Sequence, residues 1–105
     1  MNRGMMLPCG GCLFTKSIDL NGSAEEIESR INDTITEGWR YIKKWGEFIC
    51  PACARKGLDP LYLKCYGPPQ IGDKLASYKA LVERVAIQLR AFMELEAFTG
   101  ERREL

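Results

Sequence analysis

Two cysteine pairs with the same internal spacing, Cys9-Gly10-Gly11-Cys12 and Cys50-Pro51-Ala52-Cys53, constrain this chain more than any other feature. Four thiolates spaced in this way can close a tetrahedron around one zinc ion, so the fold must bring two distant segments to one point. Gly10 and Gly11 permit a tight, partly left-handed turn beneath the first pair, and Pro51 presets its own φ at the corner of the second. Other uses of paired thiols compete. A redox dithiol belongs at a strand-to-helix junction, and neither pair is followed by an evident helix. Disulfides suit a secreted chain, and Met5-Met6-Leu7 ahead of Cys9 is too short for a secretory apolar segment. One structural Zn2+ per chain on Cys9, Cys12, Cys50 and Cys53 is therefore favoured over redox or disulfide use and over inert thiols. Cys65 is left over, either as a small buried hydrophobe or as a substitute ligand.

The C-x-x-C and C-P-x-C pairs resemble the knuckles of zinc ribbons and related treble-clef-like modules, over about residues 8–56. The resemblance implies β-hairpins that carry the knuckles, and it describes a structural class rather than one activity. A Gly38-Trp39 strand start followed by Cys50-Pro51-Ala52-Cys53 is also similar to the layout of small zinc-binding proteins of bacteria and bacteriophages.

The chain has no histidine, which removes histidine triads, imidazole bases and histidine metal sites. A catalytic zinc keeps one position open, whereas four cysteines fill the shell and leave no place for an activated water. The deaminase pattern needs a Glu two residues after the first ligand, and Gly11 stands there. Neither phosphate-cradling glycine motif is present. Glu25, Glu26 and Glu28 read as a solvated face in the first turns of a helix, complementing its dipole, rather than as a carboxylate pair for acid–base work. The expectation is a protein that is not an enzyme and takes no small-molecule substrate.

With 105 residues, a single domain spanning 1–105 is expected, with a zinc-binding α/β module at 8–66 and a long C-terminal helix within 67–105. Residues 13–20 read as a first strand, with residues 1–7 as a frayed end. Ser23 and Glu26 form a capping box that opens a helix over about 23–37, with Ile27, Ile31 and Ile35 as its apolar stripe and Gly38 as its stop. Residues 38–50 read as a hairpin turning at 44–46, and 61–66 as an added edge strand. From Gly72 to Phe98 neither Gly nor Pro interrupts, predicting a helix over about 72–98 that ends at Gly100. The fold class is thus α+β, a small zinc-ribbon-like hairpin module with an inserted helix, followed by a long helix.

That helix carries two apolar stripes. Ile71, Leu75, Tyr78, Val82, Val85, Leu89 and Phe92 alternate 4-3 as a coiled-coil-like seam, whereas Ile87, Ala91, Leu95 and Phe98 occupy another face and predict self-association as a homodimer or the docking of another protein, against the alternative of a broad core-facing helix in a monomer. No apolar run approaches the roughly 18 residues of a membrane helix, so no membrane partner and a cytoplasmic location are expected.

Net charge of +1 is uninformative, but its distribution is not. Residues 17–37 hold six acids against Arg30, whereas 38–66 hold six bases against two acids. The basic stretch interleaves Arg40, Lys43, Lys44, Arg55 and Lys56 with aromatics, as single-strand nucleic-acid binders do. The blander alternative places those aromatics in the core, with Trp45 near the turn the one positioned for exposure. Nucleic acid, or a protein of nucleic-acid metabolism, is the expected partner, which makes the chain a regulator or accessory factor. A protein-binding inhibitor or adaptor of the phage type, acting on a host protein, is the alternative, and a dithiol redox protein the minor one.

Overall fold

The computed structural model describes residues 3–56 and 70–104, with side chains through residue 95. The chain is α+β, as the sequence predicts. It opens with β1 (Gly4–Pro8), which pairs antiparallel with β2 (Thr15–Asp19) in the register Met5↔Ile18 and Leu7↔Lys16. The residues expected to fray thus form a strand instead: Met5 and Leu7 alternate inward with Met6 and Pro8 outward, and burying that face outweighs the terminal position. The predicted first strand is shorter than expected, because Leu13 and Phe14 belong to the connecting loop.

Helix α1 (Ala24–Glu37) follows with both predicted ends. Ser23 Oγ accepts the Glu26 N–H at 3.2 Å while the Glu26 carboxylate accepts the Ser23 N–H at 3.4 Å. Gly38, at φ 122°, closes the other end, its N–H donating to Ile35 O at 3.1 Å. Ile27, Ile31 and Ile35 are buried, joined by Thr34, whose hydroxyl donates back to Arg30 O at 2.9 Å.

Strands β3 (Arg40–Ile42) and β4 (Glu47–Ile49) form the second hairpin, with residues 43–46 as the turn. Gly46 supplies the left-handed φ of 65° that the turn requires. Trp39, Ile42, Phe48 and Ile49 are fully buried, so most of the apolar content of this stretch is core. Trp45, expected to be exposed, is half-buried and packs on the same core. The two hairpins are stitched by a parallel bridge between Cys9 and Phe48 and by Gly10 N–H to Phe48 O at 2.8 Å.

After the short helix α2 (Pro51–Lys56), the next described element is α3 (Lys74–Glu104). It runs through Gly100, the expected stop: a glycine lowers helix propensity by about 1 kcal/mol but keeps its backbone hydrogen-bonding groups. The edge strand predicted at 61–66, and Cys65 with it, lie outside the described residues.

The buried face of α3 matches the predicted seam in part. Val85 is buried and Tyr78, Leu89 and Phe92 pack against the core, but Ser77 and Leu81 are buried beside them, whereas Ile71, Leu75 and Val82 are exposed. The cause is the edge of β3, whose Tyr41 backbone needs partners. Tyr41 N–H donates to Ser77 Oγ at 2.9 Å, and Gly72 N–H donates to Tyr41 O at 2.8 Å. Satisfying this polar pair turns Ser77, and Leu81 one turn later, toward the hairpin. Arg84 extends the same contact, donating to Gly46 O at 2.7 Å with its guanidinium 5.0 Å from the Phe48 ring centroid. Among the described residues no helix is long and apolar enough to cross a membrane.

Candidate metal centre

The four predicted cysteines converge. Cys9 directly follows β1 and Cys12 lies in the loop between β1 and β2, whereas Cys50 immediately precedes α2 and Cys53 lies in its first turn. Their sulfurs all lie within 4.8 Å of one another. The contacts Cys9–Cys53 and Cys12–Cys50 are each 3.7 Å. A tetrahedron with metal–sulfur bonds of about 2.3 Å has edges of about 3.8 Å, which the two 3.7 Å contacts match, and no sulfur lies farther than 4.8 Å from another.

The second pair therefore sits on a helix start rather than on a hairpin knuckle, correcting the expectation that no helix follows either pair. The physical reason is Pro51. At the first helical position its missing N–H is one that no helix could use, and its fixed φ is already helical. Six residues between Cys50 and Gly57 are too few for periodicity to reveal the turn. This strand-to-helix placement is one that a redox dithiol could share, but the short sulfur contacts cross between the pairs, and all four thiols form one cluster.

Backbone N–H groups point at the sulfurs. Cys9 Sγ accepts from Cys50 N at 3.1 Å and Gly11 N at 3.3 Å, and Cys12 Sγ accepts from Phe14 N at 3.4 Å. Burial pushes the Cys9 thiol up, but the Cys50 and Gly11 N–H groups and the neighbouring sulfurs outweigh it, bringing its pKa down from 9.0 to about 7. Burial and hydrogen bonding to the other three sulfurs raise Cys53 well above the usual thiol range. At Cys12 the Phe14 N–H favours the thiolate, but desolvation and the Cys9 and Cys50 sulfurs prevail and raise it. The Cys9 sulfur is poised as a thiolate, and Cys12 and Cys53 would release protons as a cation entered. The donor set of four soft sulfurs in a tetrahedron fits zinc. Cys9 and Cys50 are buried, Cys53 is partly covered and Cys12 is exposed, so the site lies at the surface with one edge toward solvent.

The predicted contact residues lie around the second hairpin. Arg40 is half-buried, donating to Ile35 O at 2.8 Å and Trp39 O at 2.7 Å, so it closes the C-terminus of α1. Lys43 and Lys44 are exposed in the turn, and Arg55 and Lys56 are exposed at the end of α2. Arg40 and Arg55 line one cleft of about 330 Å³ with Gly38, Pro51, Ile71 and Gly72. Tyr41, Lys43 and Lys79 line a second of about 560 Å³, which shares Ile71 and Gly72 with the first. Lys79 was missed by sequence reading because only the docking of α3 brings it beside the hairpin. Of the self-association stripe, Ile87, Ala91 and Leu95 are exposed, and the Phe98 side chain lies outside those described.

Comparison with protein-family models, with curated proteins and with solved structures finds no match.

Proposed function

We propose that the chain is a non-catalytic binding module held by one structural zinc ion. The observation that carries this reading is the closed set of four converging sulfurs, which leaves no ligand position for substrate or activated water. Reduced thiols of this kind suit the cytoplasm. The partner is nucleic acid, or a protein that handles it, and the two adjoining clefts support this. Their shared wall at Ile71 and Gly72 joins Arg55 and Arg40 on one side to Tyr41, Lys43 and Lys79 on the other, a run of cations around one half-buried aromatic ring. Asp73 and Glu83 line the second cleft too, so the cations form one edge of it, and the Tyr41 ring beside them is the feature that suits stacking with unpaired bases.

Fluorescence anisotropy with single-stranded oligonucleotides at several salt concentrations tests the reading. Binding should weaken with salt, and Lys43→Ala with Lys44→Ala should reduce the log–log salt slope by about one unit per lost contact, independent of base sequence. Salt-insensitive or absent binding would transfer the argument to a protein partner. That second reading, an adaptor or inhibitor, draws on the acidic outer face of α1, where Glu25 and Asp33 are exposed, and on Leu13, which stands free of all cover beside Cys12.

A further inference from the structure

The middle of α3 has an apolar face that the body of the protein covers only in part. Helix α3 is 31 residues long, about 46 Å at 1.5 Å per residue, in a molecule measuring 57 × 27 × 20 Å, so its far end projects beyond the hairpins. Along one side Val82, Ala86, Leu89 and Met93 form, with Ile27 and Ile31 of α1, an open groove of about 540 Å³. Val82 is 37% and Met93 62% exposed, while the α1 isoleucines are buried in the wall.

We infer that this groove is the interface of a two-fold dimer, in which the α3 helices of two copies pair antiparallel along Val82, Ala86, Leu89 and Met93. Three observations select a second copy as the occupant. The spacing is 4-3-4, the alternation that keeps a seam in line with a straight helical partner. Ile87, Ala91 and Leu95, spaced 4-4, wind around the helix axis instead and hold no such line. The seam is also self-complementary in size: in the antiparallel register Val82 of one copy meets Met93 of the other, and the small Ala86 meets Leu89, so large and small side chains alternate across the axis. Finally, the flanking charges complement themselves. Glu83 and Arg90 lie on the same edge of the seam, both exposed, and two-fold antiparallel pairing sets Glu83 of each copy opposite Arg90 of the other. A parallel pairing would set like residues together. The seam residues Val82, Ala86, Leu89 and Met93 lie apart from the cations Arg40, Arg55, Lys43 and Lys79, and of the residues tested only Glu83 also lines the second cleft, so Arg90→Glu is the reversal that leaves that cleft untouched.

Sedimentation equilibrium of the zinc-loaded chain tests it, with far-UV circular dichroism and metal content measured on every variant. The wild-type chain should be dimeric at about 100 µM. Met93→Glu should give a monomer and Leu95→Glu should leave the dimer intact. Glu83→Arg or Arg90→Glu alone should each weaken association about tenfold, since symmetry makes each substitution count twice, and the two together should restore it to within about threefold. These charge reversals are at exposed positions, so they remain decisive if Met93→Glu disturbs folding. A wild-type monomer at that concentration overturns the inference, as does a double reversal that associates no better than the singles, or disruption by Leu95→Glu with Met93→Glu silent.

Discussion

At the scale of single residues, the cysteines are not four equal ligands. Cys9 is buried, accepts two backbone N–H groups and has its pKa lowered to about 7, while Cys53 is held protonated well above the ordinary range and Cys12 is raised while exposed. Metal uptake near neutral pH should therefore release the protons held by Cys12 and Cys53, and affinity should rise with pH from 6 to 9; chelator competition across that range measures the slope. The metal-free protein should behave differently. A depressed Cys9 stabilises the fold above its unfolded value of 9.0, and that contribution is lost as pH falls through about 7. The raised Cys53 and Cys12 contribute fully below 9.0 and lose their share as pH rises beyond it. Denaturant melts of the apo-protein against pH should show these opposing limbs. Alanine at position 9 would strand the Cys50 and Gly11 N–H groups as well as remove a ligand, so Cys9→Ala should reduce metal-loaded stability more than Cys12→Ala, which strands only the Phe14 N–H.

Elements are joined here by a few polar contacts that decide how apolar faces meet. The entry to α3 is fixed by Gly72 N–H to Tyr41 O and by Tyr41 N–H to Ser77 Oγ, not by its most regular apolar stripe. Gly72 sits so close to β3 that a Cβ would lie 2.9 Å from the Tyr41 carbonyl oxygen, a backbone atom that cannot turn aside. Gly46 presents the opposite case, with a φ of 65° and open space around the missing Cβ. Gly46→Ala should therefore cost about 1 kcal/mol, the penalty of a left-handed alanine, and leave the packing intact. Gly72→Ala should cost about 2–3 kcal/mol and weaken amide protection at Tyr41, because α3 must withdraw from the hairpin edge. Thermal melts and hydrogen exchange on the pair would separate the two effects; equal losses would show that the close approach at Gly72 has little energetic weight.

For the molecule as a whole, the cysteine cluster lies where the two hairpins meet, beside the Cys9–Phe48 bridge. The core that surrounds this junction is continuous, running from Leu7, Ile18 and Leu20 through Ile31 and Trp39 to Phe48 and Leu81. Metal removal should therefore loosen the junction of the hairpins and weaken the surface on which Ser77 and Leu81 are buried. Titration with a strong chelator should lower and broaden the cooperative thermal transition, with the helical signal of α1, whose capping box and Gly38 stop are local, the last to be lost. A metal-free protein that still melts in one sharp transition would place the stability in the apolar core alone.

Much of this protein is determined locally and is legible in its residues. Paired spacing announces the four ligands, Ser23 with Glu26 and Gly38 bound α1, and the absence of Gly and Pro over residues 73–98 announces α3, because each signal acts within one or two turns of chain. The β1 strand was hidden because pairing at a terminus depends on a partner strand, and α2 was hidden because six residues carry no period. The rotation of α3 was decided only by tertiary structure. A helical stripe states that a face will be buried, but which face meets the hairpin was set by the unpaired backbone of Tyr41, a demand that arises only once β3 exists as an edge. The same docking places Lys79 beside Lys43 and leaves Val82, Ala86 and Met93 uncovered, so the surfaces available for partners follow from packing between elements distant in the chain.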